Sequence, residues 1–153
     1  MFHSGDHIVF MTEPGGEEEL LKLSGQNNGV IKNVMILGGG RVGKKVAQDL
    51  SSNNFNVKLV EIDKDRAEEL AEDLENCLVI YGDGTNTELL DEESLDQMDS
   101  FIAVTGDSED NIMSSLIAKS KGINKTIALV DNLDYYKLTQ ISGIDTLINK
   151  KFA

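Results

Sequence analysis

Gly38, Gly40 and Gly43 stand in the spacing G-x-G-x-x-G, inside the run Val34-Met-Ile-Leu-Gly-Gly-Gly-Arg-Val-Gly43. Glu61 follows about 20 residues on, where a dinucleotide fingerprint carries its acid. Each residue type has a chemical use. A glycine at 38 permits the tight turn out of a strand, and one at 40 lets backbone approach a diphosphate. One at 43 lets a helix pack on the strand. The N–H groups that open such a helix, with its dipole, attract phosphate oxygens. A carboxylate at 61 would accept the hydroxyl protons of an adenosine ribose. A glycine-rich turn by itself can be purely structural, with Glu61 merely opening the Asp/Lys-rich turn after it. Glycines, strand, helix and acid in combination point to a nucleotide.

These residues meet only if a strand precedes the glycines and another ends at the acid. Val34 to Leu37 is a short apolar run of the buried parallel type, and Lys44 to Leu50 reads as the helix. Asn53-Asn54 is a break, and Asn56 to Ile62 reads as the second strand. Asp65 to Leu74 is an amphipathic helix with Ala67, Leu70, Ala71 and Leu74 on one face. Cys77 to Tyr81 is a third strand. Gly82-Asp83-Gly84-Thr85 is a loop, after which Thr85 or Asn86 caps a short helix carrying Leu89 and Leu90. Phe101 to Val104 is a fourth strand ending at Thr105-Gly106. Ser108 caps a helix through Lys121 that buries Ile112, Met113, Leu116 and Ile117, and Gly122 ends it. Thr126 to Val130, a helix over 133–141 and a strand at Thr146 to Ile148 complete the series. The alternation predicts an α/β fold, a doubly wound parallel sheet of Rossmann type. Its six strands take the order 3-2-1-4-5-6, with a ligand crevice between strands one and four.

The chain has 153 residues, 40% of them hydrophobic, a net charge of −13 and one cysteine, Cys77. That length suits one domain with a short appendage. The acidity disfavours a nucleic-acid or anionic-membrane partner, either of which needs basic patches. It leaves room for a nucleotide met by uncharged N–H groups. No apolar run reaches the roughly 18 residues of a membrane span, and no secretory-leader pattern opens the sequence. A lone thiol fits a reducing cytosol, and Cys77, opening a strand, reads as structural rather than reactive. His3 and His7 lie far upstream of the motif, with no metal-ligand spacing and no nucleophile–base pair in the sequence. A binding module is expected rather than an enzyme. The alternatives are the cofactor domain of an oxidoreductase whose catalytic domain lies elsewhere, and a scaffold that uses the glycines only structurally.

Residues 1–29 stand apart from this unit. His7 to Met11 reads as a strand, Pro14-Gly15-Gly16 as a break, Glu17 to Leu23 as a short acidic helix, and 24–29 as a polar linker. They are expected to be the tail of a preceding small domain plus linker, or an arm packed on the core. Residues 30–153 then form the nucleotide-binding domain.

Four segments in order resemble the TrkA N-terminal domain, the RCK/KTN domain of potassium-transport regulators. They are Ile36-Leu-Gly-Gly-Gly-Arg-Val-Gly43, Leu59-Val-Glu-Ile-Asp63, Gly82-Asp-Gly-Thr85 and Ala103-Val-Thr-Gly-Asp-Ser-Glu-Asp-Asn-Ile-Met113. The resemblance covers about residues 33–153, and residues 5–23 are similar to the end of the family's small C-terminal domain. It implies the second half of a tandem Trk potassium-uptake regulatory protein. Such a subunit is cytoplasmic, held at the inner face of the membrane by its partner, a membrane potassium transporter. It is a homo-oligomer whose dimers build a ring, and NAD or NADH, alternatively ATP or ADP, sets the gate.

The resemblance also implies roles. Gly38, Gly40 and Gly43 would carry the diphosphate, and Glu61 the adenosine ribose. Asp83 and Gly84 would line the adenine side, with Thr105 on the phosphate–nicotinamide side, and Gly39, Val42, Ile62, Asp63 and Gly106 would join them in binding the cofactor. Arg41 either reaches a terminal phosphate, of its own or a neighbouring subunit's nucleotide, or is a solvated cation. Glu109 and Asn111, early on the next helix, are further candidates. Lys64 and Arg66 offer charge for a 2′-phosphate that Glu61 would repel, so NAD is expected over NADP.

Overall fold

Apolar runs of four to six residues become strands here because helices cover both of their faces. The computed structural model describes residues 30–151 apart from 133, 136 and 138–141. The segment 1–29 and most of the helix expected over 133–141 lie outside the described residues. β1 (Asn33–Leu37), β2 (Asn56–Glu61), β3 (Cys77–Tyr81), β4 (Ser100–Ala103), β5 (Lys125–Val130) and β6 (Thr146–Asn149) form one parallel sheet. Its order is β3-β2-β1-β4-β5-β6, as the alternation predicts. Leu37, the last residue of β1, lies beside Val60 of β2 and Ala103 of β4. The chain therefore reverses its direction of winding at the end of β1.

Alternate residues of β1 feed two cores. Val34 and Ile36 pack with Ala47, Leu59 and Leu70 beneath α1 (Arg41–Ser52) and α2 (Lys64–Asp73). Met35 and Leu37 pack with Val60, Phe101 and Leu90 on the other face. That face carries α3 (Thr87–Glu92), a 3-10 turn at Leu95–Gln97 that the sequence reading lacks, and α4 (Ser108–Ser120). Met35, Ile36, Leu59 and Phe101 are wholly buried, each contributing roughly 1.5–3 kcal/mol of transfer free energy.

Three local expectations need correction. α1 begins at Arg41 rather than Lys44, because Gly40 is already its N-cap and Arg41, Val42 and Gly43 form its first turn. α4 is capped by Asp107, whose carboxylate accepts the Asp110 N–H at 2.9 Å, and not by Ser108. The Ser108 hydroxyl instead donates to Asp131 at 2.8 Å. Most tellingly, Met113 is 58% exposed, and the residues of α4 facing inward are Asn111, Ser114, Ser115 and Ala118. These recur at helical spacing and are small enough to bring the helix axis close to β4 and β5. Ile112, Leu116 and Ile117 are displaced to its half-buried flanks. Other end signals hold: Asn86 caps α3 by accepting the Glu88 N–H, and Gly122, at φ +90°, terminates α4.

Candidate functional site

The turn from β1 into α1 is built by what its glycines lack. Gly38 takes φ +103°, and a Cβ there would lie 2.9 Å from the backbone nitrogen of Thr105. Its own N–H donates to the Val60 carbonyl at 2.9 Å. A Cβ on Gly43 would fall 1.8 Å from the Gly38 carbonyl oxygen, so only a glycine lets the first turn of α1 sit on the strand end. Gly40 differs from both, since a Cβ there would meet nothing within 4 Å. The bare backbone at Gly40 faces open space. No side chain caps α1, so the first N–H groups of the helix have neither an intrahelical acceptor nor a capping side chain.

Glu61 lines the cleft beside the glycine turn. It is only 5% exposed, and its two oxygens are held by different backbone segments. Oε2 accepts the Gly39 N–H at 2.7 Å and Oε1 the Asp63 N–H at 2.9 Å. Each carboxylate oxygen keeps a second lone pair. The acid thus clamps the glycine turn and still lines the cleft.

That cleft, of about 510 Å³, opens where the sheet order reverses between β1 and β4. Of the residues singled out in the sequence, it gathers Gly38, Gly40, Glu61, Ile62, Arg66, Asp83, Gly84, Thr105 and Gly106. Gly39, Arg41, Val42, Gly43 and Asp63 are not in its lining. Gly39 is buried behind the turn, with Leu70 and Glu61 where a Cβ would go. Val42 packs in the core under α1, and Gly43 under Gly38. Asp63 caps α2 by accepting the Arg66 N–H at 2.8 Å. Arg41 is exposed and, with Lys44 and Glu69, flanks a shallow hollow of about 200 Å³ that shares Gly40 and Arg66 with the cleft. Leu37, Val60, Val104, Thr85, Asp107 and Asp110 also line the cleft and were not anticipated. The first three end β1 and β2 or follow β4, so the predicted strand order alone could have placed them.

The β4–α4 loop is held from within. Asn111 is 1% exposed, and its Oδ1 accepts both the N–H and the hydroxyl of Thr105, at 2.9 and 2.7 Å. Its Nδ2 donates to the carbonyls of Thr105 and Leu129. Every polar valence of Asn111 is spent on tying this loop to β5, so it positions Thr105 and does not face the cleft. Glu109 accepts a hydrogen bond from the Tyr135 hydroxyl, and that carboxylate pushes the phenol up to about 12. Asp83 accepts the N–H and hydroxyl of Thr85, the backbone N–H foremost in holding its carboxyl below the usual range. Asp110 is displaced the other way, by desolvation first and then by Asp107, Asp83 and Glu109. Burial alone pushes the Cys77 thiol up to about 11, which keeps it protonated and unreactive.

A glycine turn at the switch point, with a buried acid at the end of the neighbouring strand, defines a Rossmann-type domain with dinucleotide-site architecture. Within that class the chain belongs to the TrkA-N domain family, whose model matches residues 34–150. It is 43% identical over 122 residues to the Trk system potassium uptake protein TrkA of Vibrio alginolyticus, covering 80% of this chain and 26% of that protein. The chain thus spans about a quarter of that relative's length. Among solved structures it is similar to the TrkA-N domain of the inner membrane protein ybaL from Escherichia coli. That match has a TM-score of 0.71 at 18% identity, over 80% of this chain and 90% of that one. A channel described as "GsuK channel bound to NAD" matches with a TM-score of 0.67 at 24% identity, over 78% of this chain and 21% of the channel chain.

Proposed function

We propose that this chain is the nucleotide-sensing part of a cytoplasmic regulatory subunit of a Trk-type potassium-uptake system. Its ligand is NAD or NADH, with ADP or ATP as the alternative occupants. The observation that carries the reading is the placement of Glu61 and the bare Gly40 backbone in the lining of one cleft at the strand-order reversal. The diphosphate lies across Gly38, Gly40 and the N-terminus of α1, where N–H groups and the helix dipole meet it. Glu61 offers its remaining lone pairs to the adenosine ribose. Ile62, 66% exposed, gives the adenine an apolar surface, with Asp83 and Gly84 opposite. Thr105 and Gly106 border the second half of the ligand. Family membership and the relative's name support the transport system, and the GsuK description supports the ligand class.

The role is binding and signalling rather than catalysis. Glu61, Asp83 and Thr85 in the cleft are tied into fixed hydrogen bonds, as a sensor that must reproduce one bound geometry requires. Nucleotide exchange would shift an equilibrium between two geometries of a homo-oligomeric ring built of dimers, beneath a membrane potassium transporter. It does so only through unequal affinity for the two states. Residues 1–29 belong, in this reading, to the end of a preceding domain, and residues 31–153 do form a compact unit of their own. No helix among the described residues is long and apolar enough to cross a membrane, so contact with the membrane runs through the transporter.

A melting series with NAD, NADH, ADP, ATP and NADP tests the site. A ligand at 100 times its dissociation constant adds about 2.7 kcal/mol of stability. Absence of a shift with all of them would reduce the glycine turn to a structural device. For the assembly, a full-length protein that scatters as a monomer with and without nucleotide would defeat the ring.

A further inference from the structure

We propose that the cleft selects its ligand by charge at the end bordered by β4, favouring the cationic nicotinamide of NAD⁺ over NADH and over a nucleoside triphosphate, with Asp110 as the specificity-determining residue. The inference rests on the nucleotide reading above and goes beyond it by choosing among the ligands.

The two ends of the cleft differ in charge. At the end of β2 stand Glu61, Ile62 and Arg66, the last being the one basic residue in the lining. At the end of β4 stand Thr105, Gly106, Asp107 and Asp110, and Asp83, on the β3–α3 loop of the adenine side, reaches close enough to add its charge to Asp110. In a doubly wound sheet of this order, the adenosine half of a dinucleotide lies over the β2 side and the second mononucleotide over the β4 side. The half that differs between NAD⁺, NADH and the phosphate tail of ATP therefore meets aspartates as the only charged side chains of that end of the lining. Arg41 and Lys44 do not relieve them. Neither is in the cleft's lining, both flank the adjoining hollow, and Lys44 is paired with Asp73.

The cleft carboxylates are also unequal. Glu61 is held by the N–H groups of Gly39 and Asp63, Asp83 by Thr85, and Asp107 by the N–H of Asp110. Asp110 alone of these has no hydrogen-bond or ion-pair partner for its carboxylate among the described residues. The upward shift of its carboxyl, from desolvation and then from Asp107, Asp83 and Glu109, agrees with negative charges crowded together without a cation. A positive ring brought there relieves the crowding, a neutral ring does not, and a further phosphate adds to it. NAD⁺ and NADH share nearly one shape and differ by one charge on the nicotinamide, so the pair isolates the effect. A unit charge about 4 Å from a carboxylate in a water-like medium changes affinity roughly fivefold.

Calorimetric titration of the full-length protein with NAD⁺, NADH, ADP and ATP, without added divalent cation, tests this on the wild type, Asp110→Asn and Asp107→Asn. Asparagine at 107 keeps the cap on α4, so that variant serves should Asp110→Asn fail to fold. The expected result is NAD⁺ tighter than NADH by about fivefold or more, and ADP tighter than ATP. In the variants the NAD⁺/NADH ratio moves toward one while ADP affinity stays put, a pattern that loss of structure would not produce. Equal wild-type affinity for NAD⁺ and NADH overturns the proposal, as does a ratio that neither substitution changes. If ADP still binds in that case, the nucleotide site stands and only its charge selection falls. Failure of all four to bind the folded wild type overturns both.

Discussion

The buried carboxylate of Glu61 accepts the backbone N–H of Gly39 at 2.7 Å, so the acid that ends β2 also holds the glycine turn that ends β1. The two parts of the fingerprint are one hydrogen-bonded object before any ligand arrives. Glu61→Ala leaves the Gly39 N–H buried without an acceptor and frees the Asp63 N–H as well. It should cost about 2–3 kcal/mol in urea unfolding of the ligand-free protein. Glu61→Gln keeps one acceptor and should lose less. An unchanged midpoint in the alanine variant would mean that the clamp contributes nothing to stability.

Gly43 and Gly40 separate folding from binding. A methyl group at 43 would lie 1.8 Å from the Gly38 carbonyl, a backbone atom that cannot step aside. Gly43→Ala should lose more than about 3 kcal/mol of stability. At Gly40 a methyl group meets only open space, and the backbone there already has φ −66°. Gly40→Ala should hold its melting temperature, within about 0.5 kcal/mol, while weakening every nucleotide by blocking close approach to the backbone. Equal losses of stability in the two variants would contradict this division.

Asn111 is expected to matter for the shape of the site without touching the ligand. Asn111→Ala strips acceptors from the Thr105 N–H and hydroxyl and a donor from the Leu129 carbonyl. The loss should be about 2–3 kcal/mol. Hydrogen exchange at the Thr105 amide should quicken well before exchange in β1 does. Uniform quickening across the sheet would show a global rather than a local loosening.

Acid should act oppositely on two aspartates. N–H groups of Asn33 and then Lys32 hold the Asp99 carboxyl below its usual value, tying the start of β1 to the start of β4. A carboxyl with a lowered folded value stabilises the fold above its unfolded value of about 3.9 and loses that contribution as pH falls through the folded value. Asp99→Asn should therefore be the less stable protein at pH 7, with the gap closing below about pH 4. Asp110 has the opposite sign, because its folded value is raised. Its protonated form favours the fold, so Asp110→Asn should be slightly more stable than wild type at pH 7 and lose that advantage toward about pH 4. Denaturant midpoints at pH 7, 5 and 3 check both, and a gap that ignores pH in either variant rejects its assignment.

The sequence alone determined the sheet. Val34 to Leu37 and Leu59 to Glu61 are apolar runs of strand length, each followed by turn residues and a helical period, and alternation of that kind has few topological solutions. The six strands and their order follow from it, and so does the position of the crevice. It also marked Gly38, Gly40, Gly43 and Glu61, because their spacing is local and their chemistry depends on backbone that their own neighbours dictate. Only the tertiary structure decided the rest. α4 carries an apolar set (Ile112, Met113, Leu116) and a small polar one (Asn111, Ser114, Ser115), both at helical spacing. Period alone cannot say which faces the sheet, and close packing against β4 and β5 chose the smaller residues. Arg41 stands beside the glycines in sequence yet lines the adjoining hollow rather than the cleft, because starting α1 at that residue fixes its direction around the helix axis. Asp110 is an ordinary helical residue in the sequence. It becomes a distinct charge in the cleft only because loops after β3 and β4, remote in the chain, bring Asp83 and Asp107 within Coulombic reach of it, and that interaction depends on distance through space rather than along the chain.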